Sequence, residues 1–272
     1  MFYILASAAN ARHDLGALLV TYLASLAVNI YIVGLNQITD VEIDRINKPY
    51  LPLAAGAFSR RTAIAAVCLA GVTALVLAAH QGPYLLATIG IVFFAGTAYS
   101  LPPLRLKRYP LWAAATITLA RAVVGNIGVY LTFSVALGGR PALPVHVAMF
   151  VAFMLGFVAV IALMKDVPDI DGDRRHQIST FVIRLGAGRT MALCRAMLTV
   201  SYAAMIVAAL AGLPGVNRGV LLATHAVALL ALWWRSARAG AADKDAVYRY
   251  YMFIWGLFYF EFLSFAAACF AR

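Results

Sequence analysis

Long apolar segments recur along this chain and constrain its fold more than any other feature. A helix needs about 20 residues to cross the hydrocarbon core of a bilayer. Eight segments reach that length, at about 15–37, 62–80, 82–100, 111–137, 145–165, 191–213, 217–235 and 247–270. Charged residues make up 12% of the chain, where a soluble domain averages about a quarter. The sequence therefore predicts an all-α polytopic membrane protein.

The first ten residues predict one further helix. Met1 to Asn10 has the composition of the second half of a membrane span. We therefore expect nine transmembrane helices, the first of them truncated, in a single domain that covers residues 1–272.

The basic residues predict which side of the membrane each loop occupies. Sixteen of the 22 Lys and Arg residues lie in the segments that follow the first, third, fifth and seventh complete spans. Loops rich in Lys and Arg usually stay in the cytoplasm. We expect these four loops to be cytoplasmic, in what is predicted to be a bacterial inner membrane. This distribution explains the net charge of +11 by topology, without a nucleic-acid partner.

The first acidic motif is NQITDVEID, at residues 36–44. Asn36, Asp40 and Asp44 are spaced four apart, so on a helix they form one narrow stripe. The second motif is KDVPDIDGD, at residues 165–173. Asp166, Asp169 and Asp173 share a face if that segment is helical, although Pro168 weakens the case for a helix.

Two carboxylate clusters at the ends of two spans favour a metal site. Mg²⁺ prefers oxygen ligands and is usually shared between carboxylates and the phosphates of a substrate. The simpler interpretation is a set of solvated acids in loops. We predict that both motifs hold Mg²⁺ around a diphosphate, because the clusters match and follow spans that run in the same direction.

A basic segment, TAYSLPPLRLKRYP at residues 97–110, follows the third span. Its two prolines end the helix and hold the segment at the membrane surface. Tyr99, Ser100, Lys107 and Arg108 are candidates to bind the diphosphate. The alternative is a loop whose positive charges only fix the topology of the protein.

Two ionisable residues lie deep inside predicted spans. Arg121 is about 16 Å from the start of its span at 1.5 Å per residue, and Glu261 is deep in the last span. A buried cation needs a partner or a water-filled cavity. Arg121 is therefore a candidate to bind substrate, and Glu261 is a candidate partner for it.

These motifs resemble those of the UbiA-type intramembrane prenyltransferases. NQITDVEID and KDVPDIDGD are similar to the two aspartate-rich motifs of that family, and RINKPYLPLAAG, YSLPPLRLKR and FVIRLG are most similar to its homogentisate prenyltransferase branch. The resemblance implies nine transmembrane helices around a central cavity, with the loops forming a cap on the cytoplasmic side. It also implies an enzyme of prenylquinone or meroterpenoid biosynthesis.

The implied reaction transfers a prenyl group from a prenyl diphosphate to a phenolic, homogentisate-like acceptor with Mg²⁺. Four aspartates would be catalytic, namely Asp40, Asp44, Asp166 and Asp173. The metal ligands would be these four together with Asn36 and Asp169. Tyr99, Lys107 and Arg108 would contact the diphosphate. Arg174 or Arg175 would replace a cation that relatives carry where this chain has Ser179, and Arg174 is the candidate to bind substrate.

Two other functions remain as alternatives. An intramembrane terpene cyclase would ionise the same diphosphate but quench the carbocation within the prenyl chain. A secondary transporter would place its coupling acids near the bilayer midplane. Both acid clusters lie instead at the cytoplasmic ends of spans.

Overall fold

The computed structural model describes residues 1–167, 170, 180–240 and 243–271, and these residues form helices and loops without a strand. The helices are α1 (Phe2–Asn10), α2 (Leu15–Asn47), α3 (Arg60–Gln81), α4 (Pro83–Ser100), α5 (Pro110–Thr118), α6 (Asn126–Ala136), α7 (Val145–Met164), α8 (Phe181–Leu185), α9 (Ala187–Leu210), α10 (Arg218–Ser236) and α11 (Lys244–Phe270). A 3-10 turn, Leu106–Arg108, precedes α5, and a π-helical segment, Leu119–Gly125, joins α5 to α6.

Eight helical stretches are long and apolar enough to cross a membrane, and they coincide with the eight predicted spans. The stretch from Pro110 to Ala136 counts once, because α5, the π-helical segment and α6 are continuous. The all-α membrane fold is therefore confirmed. The short α1 precedes these eight.

The end of α2 differs from the prediction. The first span was expected to stop near residue 37, with the acidic motif in the following loop, but α2 continues to Asn47. No proline interrupts the helix before Pro49, and a residue that precedes proline disfavours the helical conformation. Lys48 accordingly leaves the helix, with φ −142° and ψ 60°. The first acidic motif therefore lies on a helix.

Helix α7 lies at the centre of the bundle. Its sequence, VHVAMFVAFMLGFVAVIALM, is apolar on every side, as expected of a helix surrounded by others. It packs against α5, the π-helical segment, α9 and α11. Helix α7 therefore joins α5 and the π-helical segment to α9 and α11. The arrangement of the candidate site depends on this central helix.

Helices α2, α3 and α4 pack closely because glycine stands at their contacts. A Cβ atom at Gly34 of α2 would lie 2.5 Å from Cγ2 of Val67, and one at Gly96 of α4 would lie 2.6 Å from Cγ1 of Ile32. Small residues at such points let the backbones of membrane helices approach each other. This packing holds the carboxyl end of α2, and with it the acidic motif, next to the end of α4.

Aromatic side chains fill the end of the bundle opposite the acidic motif. The ring of Phe2 in α1 contacts the rings of Tyr130, Phe150 and Phe262, with centroid distances of 6.1, 6.2 and 6.3 Å. These four side chains come from α1, α6, α7 and α11. We call this cluster the aromatic floor, because it closes the interior of the bundle at this end.

Candidate active site

The kinked end of α2 and the loop between α4 and α5 meet through Lys107. Its Nζ donates to Oδ1 of Asp40 at 2.6 Å, to Oγ1 of Thr39 at 2.7 Å and to Oδ1 of Asn36 at 3.3 Å. Asp40 has non-helical angles, φ −120° and ψ 15°, inside α2. The structure thus brings together three of the predicted site residues, Asn36, Asp40 and Lys107.

Positive charge surrounds the Asp40 carboxylate on more than one side. Nη2 of Arg105 lies 3.7 Å from Oδ1 of Asp40. Arg105 has a left-handed backbone, with φ 37°, which is uncommon outside glycine and often marks a functional site. Burial lowers the pKa of Lys107, although the contact with Asp40 opposes that shift. Asp40 therefore lies in a cation-rich environment at the membrane surface.

The next acids along α2 differ sharply in exposure. Asp44 is buried, with 7% of its surface exposed, whereas Glu42 is exposed and pairs with Arg45 at 2.9 Å. The main chain of Lys48 closes the helix by donating to the Asp44 carbonyl at 2.7 Å. Asp44 thus belongs to the inner face of α2 with Asn36 and Asp40, and Glu42 belongs to the outer face.

The second acidic motif begins at the end of α7, next to Tyr99 of α4. Nζ of Lys165 donates to the Tyr99 hydroxyl at 3.3 Å and pairs with Oδ1 of Asp166 at 3.2 Å. Burial opposes the charge of Lys165, but the contacts with Tyr99 and Asp166 outweigh it and raise the pKa of Lys165. The remaining predicted residues of this motif, Asp169, Asp173 and Arg174, lie outside the described residues.

The structure does not bring two other candidates into these clusters. Ser100 is fully buried, and its Oγ has no hydrogen-bond partner, so it does not open onto the site in this conformation. Arg108 is exposed at the end of the 3-10 turn, on the surface of the loop. Each of them directly follows a residue of the clusters in the sequence: Ser100 follows Tyr99, and Arg108 follows Lys107.

Arg121 lies in the π-helical segment. The prediction that it pairs with Glu261 is wrong. Its Cζ lies 6.0 Å from the ring centroid of Trp255 in α11. Glu261 instead accepts from the Tyr202 hydroxyl at 2.8 Å and from Oγ of Ser264 at 3.1 Å. Glu261 is fully buried and lies one and a half turns beyond Trp255, so it faces α9 and α10 rather than Arg121.

The oxygen atoms on the inner face of α2 suit a hard cation such as Mg²⁺. The ammonium of Lys107, which already contacts Asn36 and Asp40, shows that this position attracts positive charge. Within the described ranges, no three His, Cys, Asp or Glu side chains are grouped closely enough to hold a metal ion. A complete ligand set at this position needs carboxylates from the second motif.

A cleft of about 630 Å³ opens beside the outer face of α2. Its lining includes Asp40, Glu42 and Arg105 together with Leu53 and Phe58 from the loop before α3. Charged side chains on one side thus face apolar side chains on the other. Asp40 and Arg105 are shared between this cleft and the Lys107 cluster.

Sequence reasoning gave no role to two participants in these clusters, Thr39 and Lys165, and it named Arg105 only as part of the basic segment that could neutralise a diphosphate. Thr39 contributes a hydroxyl to Lys107, Arg105 lies near Asp40, and Lys165 contacts both Tyr99 and Asp166. Lys165 had a visible signal, because it is the first residue of the second motif. Thr39 had none, since a threonine inside an apolar helix is common.

The first acidic motif, the first residues of the second and a basic loop lie at one end of an α-helical membrane bundle, an arrangement that suits binding of a multivalent anion with divalent cations. The UbiA prenyltransferase family matches residues 1–257, and the chain belongs to that family. It is an integral membrane protein and an enzyme of prenyl transfer.

Curated relatives support the same class of enzyme. The chain is 41% identical over 259 residues to a homogentisate phytyltransferase of Synechocystis sp., covering 95% of this chain and 84% of that protein. It is 41% identical over 244 residues to homogentisate phytyltransferase 1 of Arabidopsis thaliana, covering 88% of this chain and 62% of that one. A homogentisate solanesyltransferase of the same plant is 39% identical over 248 residues, covering 89% and 64%. The chain thus spans less than two thirds of these plant relatives.

Solved structures share the fold. A digeranylgeranylglyceryl phosphate synthase superposes with a TM-score of 0.68 at 20% identity, covering all of this chain and 91% of that one. A UbiA homolog from Archaeoglobus fulgidus, bound to GPP and Mg²⁺, superposes with a TM-score of 0.66 at 14% identity, covering 98% and 95%. The predicted class, an intramembrane aromatic prenyltransferase, is confirmed over the cyclase and transporter alternatives.

Proposed function

We propose that this enzyme transfers a long prenyl group from a prenyl diphosphate to homogentisate or a closely similar phenolic acid, with Mg²⁺. The observation that carries the proposal is the meeting of the inner face of α2 with Lys107 and Arg105, which offers oxygen ligands and cations in one place. The identity of about 40% to homogentisate prenyltransferases supports the choice of acceptor.

We assign the metal to the two acidic motifs. Asn36, Asp40 and Asp44 from α2, with Asp166, Asp169 and Asp173 from the second motif, would hold Mg²⁺. When bound, the metal offsets the charge that develops on the departing diphosphate. GPP and Mg²⁺ in the archaeal homolog support this assignment.

We assign the diphosphate to the basic residues near these motifs. Lys107 and Lys165 would orient it and stabilise its charge, helped by the Tyr99 hydroxyl and by Arg108 and Arg174. Preorganised cations of this kind usually supply a large share of catalysis when a charged group leaves. Ser100 would serve the site only if its buried hydroxyl turned toward it.

The bond changes follow from this placement. The C–O bond of the donor breaks, and its electron pair leaves with the diphosphate. The allylic carbocation then forms a C–C bond with the electron-rich ring. The attacked ring carbon loses its proton, which the departed diphosphate can accept, and aromaticity is restored. The apolar bundle excludes water, which would otherwise capture the cation.

Product analysis tests the proposal directly. Membranes that contain the enzyme are incubated with Mg²⁺, homogentisate and either phytyl, geranylgeranyl or solanesyl diphosphate, and the products are identified by mass. We expect a prenylated acceptor that forms only when the acceptor is present. A cyclic hydrocarbon formed from the donor alone would contradict the proposal and favour a cyclase.

Metal removal and a matched pair of variants test the site. Exhaustive EDTA treatment should abolish turnover, and added Mg²⁺ should restore it. Asp40→Asn should lower turnover by about 10²-fold or more, whereas Glu42→Gln, on the outer face of the same helix, should leave it nearly unchanged. Near-normal turnover in any two of Asp40→Asn, Asp44→Asn, Asp166→Asn and Asp173→Asn, at equal expression, would rule out the metal assignment.

A further inference from the structure

The guanidinium of Arg121 is a charge inside a membrane span for which the described part of the chain provides no anion. It makes neither an ion pair nor a hydrogen bond with a described residue, and its Cζ lies 6.0 Å from the ring centroid of Trp255. A cation at this depth is costly unless it meets an anion or a water-filled space. Arg121 is also the only Lys or Arg of the composite span from Pro110 to Ala136.

Arg121 is exposed in the structure, and the aromatic ring that its guanidinium faces belongs to α11. The π-helical segment packs against α7 and α4, whereas α11 packs against α10 and α7. Arg121 and Trp255 therefore meet across a space beside α7. Tyr251, one turn before Trp255 on α11, is close enough to interact electrostatically with both Arg121 and Lys165. Tyr251 therefore lies near both Arg121 and the cluster at the end of α7.

Aromatic rings line the side of this space that leads to the aromatic floor. Phe258 packs against Trp255 at 5.5 Å and against Phe262 at 5.2 Å, and Phe262 belongs to the aromatic floor. These contacts continue from Trp255 to the aromatic floor, so we expect a charged ligand to reach Arg121 from the end of the bundle that carries the acidic motifs. The walls next to the guanidinium are aromatic, which suits a flat, electron-rich ring.

The depth of Arg121 separates it from the diphosphate. Arg121 lies eleven residues beyond Pro110, about 16 Å below the start of α5. Lys107, which binds Asp40, is in the turn just before that start. An anion bound at Arg121 is therefore too deep to be the diphosphate held at Asp40, and it belongs to the second substrate.

We propose that Arg121, Trp255 and Tyr251 form the acceptor subsite, in which the guanidinium binds the carboxylate of the phenolic acid and Trp255 packs against its ring. This assignment rests on the proposed function. It makes Arg121 the residue that selects an acidic acceptor over an uncharged phenol, because an arginine can bind a carboxylate through two parallel hydrogen bonds.

The test compares homogentisate with an uncharged hydroquinone of similar ring substitution. In Arg121→Gln, we expect the KM for homogentisate to rise by about 10- to 100-fold. The KM for the prenyl diphosphate and for the uncharged hydroquinone should change little. Arg121→Lys should recover part of the preference for the acid, because it restores the charge. An equal loss for both acceptors, or a raised KM for the diphosphate alone, would overturn the assignment.

A binding measurement separates this inference from the proposed function. Homogentisate should quench the fluorescence of Trp255 in the full-length enzyme without Mg²⁺ or donor, and Trp255→Phe removes that signal. Arg121→Gln should weaken the binding by a similar factor, with the thermal midpoint checked to show that the variant is folded. If wild-type enzyme prenylates homogentisate but Arg121→Gln binds it equally well, the subsite is wrong and the function stands. If homogentisate is never prenylated, the function itself is wrong.

Discussion

Lys165 shows most clearly how a single residue connects the start of the second acidic motif to α4. It lies at the end of α7, between the Tyr99 hydroxyl at 3.3 Å and the Asp166 carboxylate at 3.2 Å. Its ring contact with Tyr99, at 5.9 Å, adds to the hydrogen bond. A cation held between a hydroxyl and a carboxylate is already ordered, so it loses little side-chain entropy when an anionic substrate binds.

Replacement of Lys165 should therefore lower turnover strongly, although this side chain is partly exposed. We expect Lys165→Met to lower kcat/KM for the prenyl diphosphate by about 10²-fold. Tyr99→Phe removes only one hydrogen bond and should cost about 5-fold. Arg249→Gln is the matched control, because Arg249 is an exposed cation whose pair with Asp243, at 3.7 Å, lies on the surface. Equal activity of Lys165→Met and Arg249→Gln would remove Lys165 from the site.

At the level of the helices, the site depends on how closely α4 packs against α2. Gly96 allows this approach, because a Cβ there would meet Ile32 at 2.6 Å. Gly90 lies on the same helix with no atom within 4 Å of such a Cβ. The two glycines therefore form a matched pair that separates helix packing from the general effect of a glycine substitution.

Gly96→Ala should destabilise the protein by about 1–3 kcal/mol, because the added methyl group overpacks the contact with Ile32. It should also lower activity, since it moves α4 and Tyr99 away from α2. Gly90→Ala should leave both properties unchanged. Thermal unfolding in detergent, followed together with turnover, measures the difference. The same midpoint for both variants would mean that α2 and α4 do not pack as described.

Some of these elements can be predicted from the sequence and others cannot. The difference is whether the element has a local sequence pattern of its own. Hydropathy alone locates all eight spans, because each must satisfy its backbone inside lipid. The end of α2 is missed by ten residues, since hydropathy falls at Asp40 while the helix continues to Asn47 and ends just before Pro49. The π-helical segment around Arg121 has no sequence signal at all, and the pairing of Lys107 with Asp40 arises only when α2 and the loop after α4 meet.

At the level of the whole molecule, function requires one orientation in the membrane. The Lys107 and Lys165 clusters lie at one end of the bundle, and the aromatic floor lies at the other. Prenyl diphosphates cannot cross hydrocarbon unaided, because burying their charge is too costly. The end with both acidic motifs must therefore face the compartment that supplies the donor, which the distribution of basic residues predicts to be the cytoplasm.

Single cysteines in exposed loops test this orientation in bacterial cells that express the enzyme. Ala57 lies at the end with the acidic motifs, and Ala142 lies between α6 and α7 at the other end. Cys68 is replaced by alanine, whereas Cys194 and Cys269 are buried and stay. In intact cells, an impermeant thiol reagent should modify Ala142→Cys, and it should modify Ala57→Cys only after lysis. The reverse pattern in active enzyme would contradict the proposed route of the donor.

The contact between Lys107 and Asp40 also bears on the order in which the substrates bind. In the free enzyme the ammonium acts as an internal counterion, which keeps the carboxylates of α2 from repelling one another. A magnesium ion that arrives alone must displace this built-in cation, so its binding to the free enzyme should be weak. A magnesium ion that arrives already joined to a diphosphate provides Lys107 with a new anionic partner. We therefore expect the metal and the donor to load together, as one complex.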